Sequence, residues 1–185
     1  MKRALLLITA GLAGAVQLAA PRVARAQSAP AAAQAIDPAW LKVDSATRTV
    51  EFQLVAGLTG LNGALNFNGF RDGGLVVAVP VGWNVVMNLT NHDGDLAHSA
   101  EIIPDVRPVP IGPVPSAFQR AYTIRLQQGL QAGEEDDIRF VADRAGEFLI
   151  FCAVPGHGAA GMWIRFMVSS TAQRPALSVA GSGGS

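Results

Sequence analysis

The chain's one cysteine, Cys152, opens a run in which every fifth residue carries a metal-seeking donor. Cys152, His157 and Met162 stand within Phe151 to Val168, FCAVPGHGAAGMWIRFMV. They offer a thiolate, an imidazole and a thioether, and the two sulfur ligands together suit copper, Cu(I) in particular. A trigonal copper site takes two imidazoles and one thiolate, with a long axial methionine. One loop therefore supplies too little, and a second histidine must come from elsewhere. In AHSAEII, alternation places His98, Ala100 and Ile102 on one face and Ser99 and Glu101 on the other. With the acid facing water, His98 faces inward. His92 lies in NHDGD, whose Asn, Asp and Gly mark a turn, and reads as an exposed turn histidine. The expected metal ligands are His98, Cys152, His157 and Met162 around one copper ion.

A lone cysteine also excludes chemistry. It cannot form an internal disulfide, and in an oxidising compartment it must be buried, metal-bound or paired with another chain. A hydrolase would use Cys152 as nucleophile with a histidine base. Yet Cys152 ends a strand rather than opening a helix, where a thiolate would be activated, and Met162 would be left without a role. Three histidines are too few for a multicopper oxidase or nitrite reductase, and a binuclear copper centre needs a second cysteine. The chain is thus expected not to be an enzyme. A copper carrier or storage protein could use the same ligands and stays open as the alternative, although the four methionines form no cluster of the kind such proteins favour. A metal-free adhesion sandwich would leave the ligand spacing to chance.

The elements that position these donors show period two. TVEFQLVA sets Val50, Phe52 and Leu54 on one face; GWNVVMNLTN sets Trp83, Val85, Met87 and Leu89; DDIRFVA sets Ile138 and Phe140. RAYTIRLQ offers Tyr122, Ile124 and Leu126 in the same way, and LVVAVP and AHSAEII read as strands too. Such alternation marks half-buried strands. FNGFRDGG, NHDGD, QQGLQAGEED and DRAGE separate them as turns. Many short strands with almost no helical period predict an all-β, antiparallel sandwich or barrel. In GEFLIFC, Phe148, Ile150 and Cys152 share the inward face; in MWIRFMV, Met162, Ile164, Phe166 and Val168 do. PGHGAAG must then fold back across one end of the sandwich. Pro104 to Phe118, PDVRPVPIGPVPSAF, holds five prolines and reads as a long, stiff surface loop.

The ends carry no chemistry of this kind. The chain begins MKRALLLITAGLAGAVQLAAPRVARAQ: two basic residues, an apolar run from Ala4 to about Ala20, and ARA before Gln27. That is a secretory-signal pattern, with cleavage expected after Ala26. The run would reach only about 25 Å as a helix, short of a bilayer core of about 30 Å. The expected organisation is a signal peptide at 1–26, a linker at 27–38, the domain at 39–168 and a disordered tail at 169–185. Four of the fourteen basic residues (Lys2, Arg3, Arg22, Arg25) precede Gln27, leaving ten against fourteen acids, a net charge of −4. Nucleic-acid binding would call for a basic stripe, and none is present. The protein is expected in the periplasm or another extracytoplasmic space as a monomer, with membrane association only if the N-terminal segment is retained.

LNFNG (Leu65 to Gly69), VAVPVGWNVVMNLTN followed by AHS, and FCAVPGHGAAGMWIRFMV together resemble the type-1 (blue) copper proteins of the cupredoxin superfamily, sulfocyanins most closely. The specific element is the C-x4-H-x4-M spacing with VPGH and GMW inside it. The resemblance covers Val50 to Val168. It implies a Greek-key β-sandwich and single-electron transfer between redox partner proteins by Cu(I)/Cu(II) cycling, with Met162 as the long axial ligand. Electrons would then enter at His157, whose small, uncharged neighbours form an apolar collar. Ser99 is a candidate to hydrogen-bond across to the Cys152 loop. Sulfocyanins of archaea are typically membrane-tethered, whereas this chain carries a cleavage pattern.

Overall fold

The computed structural model describes residues 35–181. The expected signal peptide lies outside the described residues, as does most of the expected linker. A 3-10 turn at Pro38–Trp40, capped by the Asp37 side chain, leads into nine strands among the described residues. They are β1 (Leu41–Asp44), β2 (Thr49–Ala56), β3 (Leu75–Pro80), β4 (Asn84–Asn91), β5 (Glu101–Pro104), β6 (Glu135–Val141), β7 (Gly146–Phe151), β8 (Trp163–Ser169) and β9 (Ala176–Val179). One sheet has the order β1-β2-β4-β6, the other β5-β7-β8-β3-β9.

The all-β sandwich expected from the sequence is present, but its sheets are mixed. β2 runs parallel to β4 and β3 parallel to β8, while the remaining pairs are antiparallel. From β2 to β7 the chain crosses to the opposite sheet at every step. Neither β2 and β4 nor β3 and β8 are therefore chain neighbours, and no hairpin forces either pair antiparallel.

Alternation sets the core as predicted. Val50, Phe52 and Leu54 of β2, Val85, Met87 and Leu89 of β4, and Ile138 and Phe140 of β6 meet Val77 and Val79 of β3, Phe148 and Ile150 of β7, and Ile164, Phe166 and Val168 of β8. Phe118 leaves the proline-rich segment to join Phe140, Phe148 and Phe166, its ring centroid 4.7 Å from that of Phe148. Each side chain buried in this way stabilises the fold by roughly 1.5–3 kcal/mol.

The second sheet also has a dry outer face. Ile103, Leu149, Phe151, Ala153 and Trp163 form a separate cluster there, covered by Val109 and Val114 of the proline-rich segment and by Leu126. This cover corrects two expectations. Ser99 and Glu101, expected to face water, are 0% and 1% exposed, because the proline-rich segment and residues 121–126 lie over them. RAYTIRLQ forms no strand beyond an isolated bridge between Tyr122 and Glu101, and its parity is reversed: Ala121 and Thr123 are buried, while Tyr122 and Ile124 point out. Thr123 is drawn in by Ala100, whose N–H donates to Oγ1 at 3.1 Å and whose carbonyl accepts the Thr123 N–H at 2.9 Å. Arg120 and Arg125, both at positive φ, turn the chain on either side.

The stretch expected as a disordered tail carries a strand within its described part: β9 pairs antiparallel with β3, Leu75 opposite Val179 and Ala78 opposite Ala176. Leu177 and Val179 pack on the core, and the pairing covers what would otherwise be an open sheet edge.

Candidate metal centre

The ladder between β7 and β8 sets Ile150 opposite Ile164 and Phe151 opposite Trp163. One rung further, the Cys152 N–H donates to the Met162 carbonyl at 3.0 Å. Cys152 and Met162 thus stand opposite one another at the end of the sandwich, both fully buried, as the parity of the two strands predicts.

The nine residues between them make a compact loop. The His157 N–H bonds the Val154 carbonyl at 3.1 Å, and the Met162 N–H returns to the His157 carbonyl at 3.0 Å. Three distant residues hold its outside. The Ile111 carbonyl accepts the Gly156 N–H at 2.7 Å, the Asn62 side-chain amide donates to the Ala160 carbonyl at 2.9 Å, and the Asp72 N–H donates to the Gly161 carbonyl at 2.9 Å. Glycine is required at 161, where φ is +100° and a Cβ would lie 2.6 Å from an Asp72 carboxylate oxygen. The segment carrying Asn62 and Asp72 is itself fixed by LNFNG: Asn68 accepts from the Val55 N–H and donates to the Gln53 carbonyl, while Asn66 donates to the carbonyls of Thr59 and Leu61.

His98 arrives from the segment before β5. Its N–H and carbonyl both bond Leu130, and its ring centroid lies 5.2 Å from that of His157. One ligand atom each from His98, Cys152 and His157 lie within 4.8 Å of one another, with Cys152 Sγ 3.6 Å from His157 Nδ1. His92 is exposed and outside this group.

Electrostatics keep the thiol protonated but leave both imidazoles in the neutral form a cation needs. Burial pushes the Cys152 thiol up to about 11, against the opposing pull of the Ser99 and Val154 N–H groups, so without a metal it keeps its proton at neutral pH. Burial also holds both imidazoles below the ordinary histidine range; for His98 the neighbouring Asp93 partly opposes this, and for His157 the proximity of His98 adds to it. Neutral imidazoles are the form that binds metal. His98 Nδ1 is a buried nitrogen without a hydrogen-bond partner among the described residues. Such a group costs about 1–3 kcal/mol unless something coordinates it, and one ion among the three donors would do so. The donor set, two imidazoles and a thiolate with a methionine at the same rim, fits copper.

Ser99 does reach the Cys152 loop. Its N–H points at Sγ from 3.4 Å, and its hydroxyl accepts the Ala153 N–H at 3.1 Å while donating to the Leu126 carbonyl at 2.8 Å. The residue that sequence reasoning passes over is Asp93. Its Oδ2 lies 3.0 Å from His98 Nε2, and it is only 7% exposed. Burial favours its protonated form, but bonds from the Asp95 and Leu96 N–H groups and from His98 outweigh that and hold the carboxyl below its ordinary range. NHDGD signals a turn, and nothing in its pattern says that the turn folds back onto His98.

A family model described as the sulfocyanin (SoxE) domain matches residues 37–178. Sulfocyanin of Sulfolobus acidocaldarius is 25% identical over 141 residues, covering 71% of this chain and 69% of that protein. Rusticyanin from Thiobacillus ferrooxidans superposes with a TM-score of 0.50 at 22% identity, covering 70% of this chain and 86% of the other. A variant of rusticyanin gives a TM-score of 0.54 at 21% identity, covering 70% and 87%. The structural likenesses establish a shared sandwich fold.

Proposed function

The chain belongs to the sulfocyanin domain family, and from that premise we propose that it is an exported mononuclear type-1 copper protein that passes single electrons between redox partner proteins. Rusticyanin is described as a copper protein. The observation that carries the reading here is the buried Nδ1 of His98, without a hydrogen-bond partner among the described residues, on a ring grouped with Cys152 and His157. When bound, copper supplies a one-electron couple. His98, Cys152 and His157 would hold it, and Met162 at the same rim would add a thioether donor.

The protein's own groups do the rest. Cys152 gives up its proton on loading, and the Ser99 N–H then faces a thiolate, which it stabilises. The loop anchors at Asn62, Asp72 and Ile111 fix the donors, so little rearrangement accompanies electron arrival. Sandwich and proline-rich segment together exclude water from Cys152 and Met162. His157 is half-exposed among exposed Pro155, Ala159 and Ala160, small uncharged residues that let a partner approach the imidazole closely. Residues 1–26 act as an export signal to the periplasm or its equivalent. Among the described residues no helix is long and apolar enough to cross a membrane.

The test is a Cu(II) titration of the purified protein. It should bind one ion per chain with an intense visible thiolate-to-copper absorption, absent in Cys152→Ser and unchanged in His92→Ala, and the loaded protein should exchange electrons reversibly. An absorption that survives Cys152→Ser would overturn the ligand assignment. A colour-forming protein that donates its metal but exchanges no electrons would be a copper carrier.

A further inference from the structure

His98 has two ring nitrogens and two very different neighbours. Nδ1 is buried with no hydrogen-bond partner among the described residues, while Nε2 lies 3.0 Å from Asp93 Oδ2. An ionised carboxylate only accepts, so Nε2 must carry the hydrogen and Nδ1 must present its lone pair. Asp93 is itself locked. Its Oδ1 accepts the Asp95 N–H at 2.9 Å, and its own N–H donates to Asn91 Oδ1 at 2.9 Å. Asn91, fully buried, donates to the carbonyls of Leu96 and Leu130, and Leu130 is the residue that pairs with the His98 backbone. The turn is docked on the end of β2 through the His92 N–H and the Ala56 carbonyl. Residue 57 must be small there, since a Cβ on Gly57 would lie 2.6 Å from the Asp93 Cβ. Backbone and ring of His98 are thus held by one clamp built from residues 91–96 and Leu130.

We propose that Asp93 is a positioning residue for the copper site: it fixes His98 in the tautomer that offers Nδ1 to the metal, and its buried negative charge biases the couple toward Cu(II). The inference rests on the copper reading above. A carboxylate behind a ligand imidazole makes the ring a stronger donor, and added electron density stabilises the more highly charged ion more.

Two variants separate the two effects. Asp93→Asn keeps shape and an acceptor oxygen but loses the charge; Asp93→Ala loses both. Nitrogen-15 NMR of the metal-free protein should show the Nε2–H tautomer of His98 in the wild type and in Asp93→Asn, and a mixture in Asp93→Ala. In loaded protein, Asp93→Asn should keep its colour and raise the reduction potential, each tenfold loss of Cu(II) affinity relative to Cu(I) adding about 59 mV. Asp93→Ala should bind copper about 10–100-fold more weakly. Asp95→Asn, which removes an equal charge from an exposed side chain of the same turn, should leave the potential in place. An unaltered potential in Asp93→Asn, or an equal rise in Asp95→Asn, would overturn the charge argument. A wild-type tautomer in Asp93→Ala would overturn the positioning role. If the wild type takes up no copper, the function reading fails, while the tautomer measurement still judges the clamp.

Discussion

Glu101 supplies a pH dependence that can be worked through. It lies on β5, 1% exposed, beneath the proline-rich segment. Oε2 accepts the Val114 N–H and Oε1 the Ser116 hydroxyl, each at 3.4 Å. These are long contacts, and no charged group contributes to its titration. Burial therefore dominates and raises the carboxyl from 4.5 to about 7. Since the folded protein holds this proton more tightly than the unfolded chain, the group's contribution is fully present below pH 4.5. It is lost as pH rises to about 7. At about 1.4 kcal/mol for each tenfold change in proton affinity, the loss is about 3 kcal/mol by pH 8.

Glu101→Gln keeps the shape and removes the proton equilibrium. Urea unfolding of metal-free wild type and variant, from pH 4 to 8, reads the effect as a difference. His98 and His157, held low by burial, act with the opposite sign in part of this window, but they are common to both proteins and cancel. The variant should gain on the wild type steadily between about pH 4.5 and 7, by about 2–3 kcal/mol, with a slope of at most about 1.4 kcal/mol per pH unit. A difference that stays flat across the range would show that Glu101 is hydrated in solution and that the proline-rich segment does not seal it.

Two further perturbations test the scaffold. A Cβ at Gly158 would lie 2.5 Å from the Phe151 ring and 3.0 Å from the Cys152 carbonyl, so Gly158→Ala should cost about 1–3 kcal/mol in urea unfolding, as overpacking does, and broaden the copper absorption. Ending the chain at Ser170 removes β9 and the cover that Leu177 and Val179 give the core. That should cost about 2 kcal/mol and promote self-association through the bared edge of β3, read by light scattering.

What the sequence could and could not convey follows from the range of the forces involved. Period two is a local signal, and it located β2, β4 and β6 and the inward faces of Cys152, Met162 and His98, because a residue's parity depends only on its chain neighbours. The same rule failed at RAYTIRLQ and at Glu101, where the second face of the sheet is covered by a remote segment. Parity says which residues share a face; it does not say whether the other face is wet. β9 was missed for a related reason: ALSV is too short to assert itself within a small, polar stretch, and its pairing depends on an edge of β3 formed a hundred residues earlier.

The site divides along the same line. The donors are written into one loop and the short segment before β5, but their geometry is held from elsewhere. Asn62 with its side-chain amide, and Asp72 and Ile111 with their backbones, each grip backbone groups of the His157 loop, and such a bond leaves no trace in the loop's own residue types. Asp93 is the sharpest case. Carboxylates in turns usually cap their own backbone, and this one does so through Oδ1, which is all that NHDGD advertises; its second oxygen turns to His98. One residue thus shapes the turn and directs a ligand, and only the fold reveals the second task. Local turn chemistry and ligand orientation are coupled here, so loosening the turn should move the metal's electronic state before it moves the stability of the sandwich.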